Sequence, residues 1–319
     1  FEPQPVCWAI ENTMVTGILG QLDGPASTDV RVTAVITCVD AATWFTDATG
    51  DESVSERLPG CDPFASDDRT VAQVVVGQVD YADLLVVAGE PADAFESLRL
   101  TAVLERLAPT AKIEWVGASG PIDAETILAP LPDTEKSGDF ADPHGPLLRG
   151  EPPLDYDCGV ALVEFTADRP FHPTRLHEAL DVLLDGVVSA RGRIWLASQM
   201  DNALWLESAG GGLRVGDAGR WLAAMTPDER EWESTERRAM AALRWNDRFG
   251  DRDTSLLTLV HAADPSHIER TLRWALVTDE ELARPQDWPT WPDPFGSWHE
   301  DPCGTTQSPF VDIEGEDHA

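Results

Sequence analysis

Apolar residues recur along this chain at two spacings, and the alternation between them divides it into elements. Val6, Ala9, Ile10, Met14 and Ile18 repeat at helical intervals and predict a helix over 6–19. The β-branched run VRVTAVITCV over 30–39 has the composition of a strand buried on both faces, with Asp40 at its end. The stretch 52–68 carries charge, Gly and Pro and reads as a loop, after which helical spacing returns over 69–79. A short buried strand over 84–87, an amphipathic helix over 92–107, a strand over 113–116 and a short helix over 123–128 follow. Strands alternating with helices predict a parallel sheet with helices on its faces.

From 130 to 153 Pro, Gly and Asp replace any periodicity, which marks a linker. Beyond it GVALVEF, 159–165, is a strand. The segment 173–187 is a helix with Leu176, Leu180, Leu183 and Leu184 on one face, and Pro173 suits its first turn. Strands are expected over 191–197, 203–207 and 212–215, the last two joined by the turn signal SAGGG. A helix around 236–243, the strand SLLTLV at 255–260 and a helix over 265–275 complete the region. The Pro- and Trp-rich tail starts at 284, and its last residues are expected to be disordered. The expected divisions are 1–129, a linker 130–153, a second α/β domain 154–283 and a tail 284–319.

Charge narrows the function. Acidic residues number 57 and basic ones 23, a net charge of −34, which argues against a general nucleic-acid binder because phosphate neutralisation needs clustered cations. A place beside nucleic acid through a protein partner stays open. With 42% hydrophobic residues and 12 Trp among 319, a substantial core can form. No apolar run approaches the ~18–20 residues of a membrane-spanning helix, and the start FEPQPVCWAI has no signal-peptide character. Because the sequence begins with Phe rather than Met, a fragment or processed chain is expected. Five scattered Cys without C-x-x-C spacing fit a reducing, cytoplasmic compartment. Cys38 and Cys158 read as small core residues, and Cys61 in PGCDP as an exposed thiol. Lys occurs only at Lys112 and Lys136, so nearly all positive charge is Arg.

Several blocks in order carry a resemblance: Phe171-His172-Pro173 with Arg175-Leu176, Gly186-Val187-Val188, the run Ala190 to Ala197, Ala209-Gly210-Gly211-Gly212, and Phe249-Gly250-Asp251-Arg252. They resemble the C-terminal domain of CobW-type P-loop GTPases and metallochaperones. HGPLLRGEPPLD, LWLESAGGGLR, RRAMAALRW and DPFGSWHEDPC look like an actinobacterial branch, which includes a GTPase that recruits a ribosome hibernation factor under zinc starvation. In the first region Glu2-Pro3-Gln4-Pro5-Val6, Val35 to Ala41 and Gln78 to Asp83 resemble the distal half of the family's GTPase domain. The implied architecture is α/β: an incomplete P-loop-type parallel sheet with flanking helices, followed by a two-layer α/β C-terminal domain.

The resemblance implies a GTP-binding protein of zinc homeostasis or metal delivery whose C-terminal domain recognises a metalloprotein client. The alternative is a ribosome-hibernation accessory that recruits a hibernation factor to the ribosome with little GTPase chemistry. GTP and Mg²⁺ are expected only with an upstream P-loop, because no G-x-x-x-x-G-K-[ST] occurs in the sequence. The family's C-x-C-C motif would precede Phe1. Where relatives carry N-K-x-D this chain reads Ala88-Gly89-Glu90-Pro91; an Asp there would accept hydrogen bonds from guanine, and Ala88-Gly89 supplies no such acceptor. No G-x-S-x-G, dinucleotide fingerprint or H-E-x-x-H supports a hydrolase or oxidoreductase.

Each candidate site residue also has a structural reading. Asp40 ends a parallel strand, where ligands gather, and either sits near a nucleotide's Mg²⁺ or caps the next helix. Ala88, Gly89 and Glu90 form the candidate base-recognition turn, and Glu90 and Asp93 equally read as an ordinary helix start. His299, Asp301 and Cys303 are three possible zinc ligands in five residues, one short of a closed site, or else a polar tail. His172 and His177 are five apart, which does not place two ligands on one helical face. Trp288, Trp291 and Trp298 anchor the tail to its own domain or to a partner. Arg191 and Arg193 pair with acidic groups or contact phosphate.

Overall fold

The strands of the computed structural model, which describes residues 2–20, 22–58, 69–117, 131 and 142–296, form three sheets. A first helix, α1 (Pro3–Asn12), leads into a two-stranded antiparallel ribbon, β1 (Met14–Val15) with β2 (Gly24–Pro25). The expected helix over 6–19 is therefore shorter and ends before Thr13.

The parallel sheet has the order β3 (Ile36–Asp40), β4 (Leu84–Ala88), β5 (Lys112–Val116). It is crossed by α2 (Trp44–Thr49), α3 (Val54–Arg57), α4 (Val71–Asp80) and α5 (Ala94–Leu107). The central β4 buries Leu84, Leu85, Val86 and Val87, as a strand covered on both faces must. β3 does not follow the expectation of full burial. It begins only at Ile36 and lies at the sheet edge, with Thr37 and Val39 inward and Ile36, Cys38 and Asp40 exposed. Cys38 is thus a surface thiol rather than a core residue, because it sits on the exposed face of an edge strand; Cys158 is only half-buried. Local capping fixes the helix starts: Thr70 and Gln73 form a reciprocal box at α4, and the Asp93 carboxylate accepts the Glu96 N–H at α5.

The antiparallel sheet contains β6 (Ala161–Ala167), β7 (Val187–Ile194), β8 (Asn202–Ala209), β9 (Gly212–Arg220) and β10 (Thr254–Val260), in the order β6-β10-β7-β8-β9. Leu204 and Leu206 of β8 are buried, as a sheet-core assignment requires. On one face it carries α6 (Pro173–Ala179) and α9 (Pro265–Ala275) around Phe165, Leu176, Leu183, Leu256, Ile268 and Leu272. The helix expected over 173–187 stops at Ala179 and continues as a 3-10 turn to Leu183. The Gly186 carbonyl then accepts N–H groups from His261 to Ala263, which holds the chain beside β10 for its entry into β7. Two further helices, α7 (Pro227–Trp232) and α8 (Thr235–Arg244), precede β10, and α10 (Asp279–Leu282) follows α9.

Aromatic burial secures the tail as far as residue 296. Trp288 is fully buried against Trp195 and Phe249, and its indole N–H donates to the Glu281 carbonyl at 2.9 Å. Trp291 stacks on His172 with ring centroids 4.5 Å apart. These tryptophans serve their own domain; Trp298, Cys61 and the helix expected over 123–128 lie outside the described residues.

The two larger sheets share a core. Val160, Val188, Ala209 and Leu259 of the antiparallel region pack with Val39, Val87, Val103 and Leu104 of the parallel one. The β8–β9 turn is the closest approach. Gly210 adopts φ +52° and a Cβ there would collide with the Gly50 carbonyl and the Ala72 methyl, while the Gly211 N–H donates to the Gly50 oxygen at 3.0 Å. Only glycine fits this wedge, for its left-handed backbone and for lack of space.

Gly210→Ala is therefore expected to cost about 2–4 kcal/mol, from the left-handed strain plus overpacking. Equilibrium urea unfolding checks this; an unchanged midpoint would show that the two sheets do not depend on the wedge.

Candidate functional site

Parallel topology brings Asp40 and the 88–90 turn together at the C-terminal ends of β3 and β4, whose register pairs Asp40 with Ala88. The Ala41 N–H donates to the Ala88 carbonyl at 2.8 Å, so the two strand ends are tied by their backbones. Gly89 has φ +89°, and a Cβ on it would lie 2.9 Å from Asp40 Oδ1. The carboxylate therefore occupies the space a side chain at 89 would take. Asp40 Oδ1 accepts the Ala42 N–H at 2.9 Å in an Asx turn. It does not cap α2, whose N-cap is Thr43 with no side-chain cap, so the helix-capping reading of Asp40 is corrected. Ala88, Gly89 and Glu90 are all exposed. This end of the sheet has the placement of an α/β ligand site, with Asp40 and Glu90 as its anionic groups.

The block Phe171-His172-Pro173 with Arg175-Leu176 acts as a structural clasp. Phe171 is fully buried, its N–H donating to the Trp195 carbonyl and its own carbonyl accepting from Ala197. Pro173 opens α6 and Leu176 is buried under it. Arg175 reaches across to Glu281 with two hydrogen bonds, 3.1 and 2.6 Å, and donates to the Leu276 carbonyl. His172 stacks on Trp291, and the exposed His177 faces Phe295 edge-on. Among the described residues no three His, Cys, Asp or Glu side chains converge as metal ligands. His299, Asp301 and Cys303 lie outside the described residues.

Arg191 and Arg193 of β7 find acidic partners. Arg191 Nη1 lies 2.6 Å from Asp80 at the end of α4, and Asp80 also takes Arg149 of the linker at 2.8 Å. Arg193 is fully buried, forked onto Asp253 at 3.1 and 3.0 Å, and donates to the Pro143 carbonyl. Beyond Asp253 opens a cavity of about 980 Å³ that sequence reasoning missed. Its lining comes from three separated segments, 166–169, 244–254 and 273–279. The signal present in the sequence was the arginine of the blocks RRAMAALRW and FGDR, whose Arg244 and Arg252 both line it.

Residues 160–276 match the family model described as the cobalamin synthesis protein cobW C-terminal domain. A zinc chaperone of Mycobacterium tuberculosis H37Rv is 51% identical over 304 residues, 95% of this chain and 71% of that protein. The zinc-regulated GTPase metalloprotein activator 1 of Dictyostelium discoideum is 24% identical over 272 residues, 83% of this chain and 56% of that protein. A solved structure, Zn(II)-bound YjiA GTPase from E. coli, aligns with TM-score 0.35 at 12% identity over 77% of this chain and 62% of that one. The chain thus spans less than two thirds of the Dictyostelium protein and of the solved chain.

One buried and two half-buried histidines set an acid limit. Burial holds His144, His172 and His261 below the ordinary 6.5, with Arg237, Arg175 and Arg99 acting in the same direction. The unfolded chain then takes up these protons before the folded one, so stability is present above pH 6.5 and falls as the pH drops below it. Glu281 is depressed to about 2, first by its hydrogen bond from Arg175, so its contribution persists above about 4.5 and is lost between there and 2. Unfolding free energy is expected to decline in two stages, below pH 6.5 and again below 4.5. Arg175→Met is expected to shrink the second stage, which the Thr278 hydrogen bonds to Glu281 partly preserve, and to cost roughly 1–3 kcal/mol at pH 7. Urea unfolding from pH 7.5 to 3 measures both, and a flat profile down to pH 5 would contradict the histidine assignment.

Proposed function

We propose, from the premise that the chain belongs to the CobW family, that it belongs to a GTP-binding protein of zinc homeostasis that delivers metal to a protein client in the cytoplasm. The observation that carries this reading is the 51% identity to a zinc chaperone across 95% of the chain. In this reading the antiparallel domain recognises the client. The strand ends at Asp40 and Gly89 face a nucleotide whose phosphates and Mg²⁺ are held by a phosphate-binding loop that these 319 residues do not contain.

The turn Ala88-Gly89-Glu90-Pro91 supports a division of labour. Where relatives carry the Asp that accepts from guanine this turn has Pro91, Ala88-Gly89 supplies no such acceptor, and Gly89 lies against Asp40. Base selection on this side is accordingly weak, and phosphate contacts dominate nucleotide affinity. The same turn and the net charge of −34 favour one second reading, a ribosome-hibernation accessory that works by recruiting a protein factor. His299, Asp301 and Cys303 provide up to three zinc ligands in transit and need a fourth from a client to close a tetrahedral site.

A strain lacking the coding sequence is expected to lose zinc-enzyme activity under zinc limitation and to regain it on zinc repletion. Unchanged enzyme activity at limiting zinc would overturn the delivery reading. Enrichment of ribosomes and a hibernation factor on the immobilised chain, above an unrelated acidic protein, would instead establish the recruitment reading. Isothermal titration of GTP into this chain alone is expected to give no binding tighter than about 100 µM, and submicromolar affinity would contradict the assignment of the phosphate site to a separate loop.

A further inference from the structure

Residues 142–149 are strapped to the antiparallel sheet by their carbonyls. Arg193 donates to the Pro143 and Gly145 oxygens, Arg244 to that of His144 and Arg191 to that of Leu147. Arg149 of the strap reaches Asp80 of α4 at 2.8 Å. No residue of the strap belongs to the buried apolar clusters, and His144, 6% exposed, is the one buried residue in it. The strap therefore rests on one inserted ring and on three arginines of the body, and lifting it uncovers little apolar surface. A segment held this way opens at less cost than the sheets beneath it.

The surroundings of His144 suit a neutral ring. Nε2 lies 2.9 Å from the Ala218 carbonyl of β9, and the ring stands edge-on to Trp221 with centroids 5.6 Å apart. A carbonyl only accepts, so the neutral ring carries its proton on Nε2. Arg237 Nη2 lies 3.2 Å from the same nitrogen and also donates to the Arg220 carbonyl. Among the described residues Nδ1 bonds no acceptor, so a second proton there is a buried charge without a partner. The charges around the ring are already committed. Asp142 of the strap accepts the His144 N–H. Arg193 of β7 holds Asp253, with Arg244 of α8 3.8 Å from that carboxylate. From β9, Arg220 pairs with Glu229 and Asp217 accepts the Gly219 N–H. Arg237 of α8 holds Glu233, while its own Nε is buried without an acceptor among the described residues. An imidazolium would stand beside Arg237 and Arg193 with no carboxylate left to meet it. Burial first and Arg237 second accordingly keep the ring below its ordinary 6.5.

We propose that 142–149 is an acid-released strap: the neutral His144 ring seats it between β9 and α8, and a proton on Nδ1 expels the ring and lifts the strap while both large sheets stay folded. Lifting takes Arg149 away from Asp80, so acid loosens one tie between the parallel region and the antiparallel sheet. The shared core and the glycine wedge, to which the strap contributes nothing, keep the sheets together. The lifted ring takes its proton at the ordinary 6.5 and the seated ring only at lower pH, so the seated state is favoured above 6.5 and lost as the pH falls below it. The device requires neither zinc nor GTP and stands or falls apart from the delivery reading.

The test is native-state proteolysis of the whole chain with proteinase K from about pH 7.5 to 5.5, with cut sites read by mass spectrometry. Each rate is divided by that for a free peptide of the strap sequence at the same pH. Cleavage between Leu147 and Leu148 is expected to rise about tenfold over this range, with cleavage within β7 and β10 unchanged. His144→Gln, which keeps a donor for the Ala218 carbonyl but takes up no proton, is expected to show no acid rise. The His172→Gln/His261→Gln double variant, which lacks the other two rings held below 6.5, is expected to keep the full rise. Urea unfolding at neutral pH confirms that each variant folds; should His144→Gln unfold, the double variant decides. The proposal is overturned by an unchanged normalised rate in the wild-type chain, by an equal rise in His144→Gln, by loss of the rise in the double variant, or by cleavage in both sheets rising in parallel with the strap, which is global unfolding.

Discussion

The buried guanidinium of Arg193 is the constraint around which the second half of the molecule is arranged. It has no exposed surface, and an ion in that position is tolerable only if its donors are met. Asp253 takes two of them, and the carbonyls of Pro143 and Gly145 take two more. The pair thereby joins β7, the segment entering β10, and the stretch at 143–145, with Arg244 approaching Asp253 at 3.8 Å.

A second tie runs through Asp80. Its carboxylate ends α4 of the parallel region and accepts Arg191 from the antiparallel sheet and Arg149 from the linker. With the glycine wedge at 210–212 and the shared apolar core, it fixes the antiparallel sheet against α2 and α4. Exposed ion pairs contribute little individually, but Arg191 and Asp80 are mostly buried, and such pairs specify arrangement more than they add stability. The apolar contacts supply most of the free energy, while the charges and glycines select which contacts form.

The sequence revealed elements whose signal is local. Leu84 to Val87 declared a buried strand by composition, α5 by its periodicity and Asp93 cap, and the β8–β9 hairpin by its glycines. It misled where burial depends on neighbours. The run 30–39 is rich in β-branched residues, but position at the sheet edge decides that Cys38 faces outward. Asp40 was legible as a strand-end residue, yet its Asx turn and its closeness to Gly89 arise only when two strands 44 or more residues apart align. The arginine-lined cavity was illegible for the same reason: its walls come from three segments, and each arginine alone looks like surface charge.

Net charge sets how the arginines are used. Acidic residues outnumber basic ones by 34, and most arginines are paired nearby, as Arg57, Arg175, Arg191 and Arg237 are. The four around the cavity follow the same rule: Arg169 meets Asp279, Arg244 Asp253, Arg252 Asp201 and Arg273 Glu269. Backbone carbonyls hold Arg244 and Arg252 as well, so these two side chains lose their rotamer freedom in folding and fix the segments that carry those carbonyls.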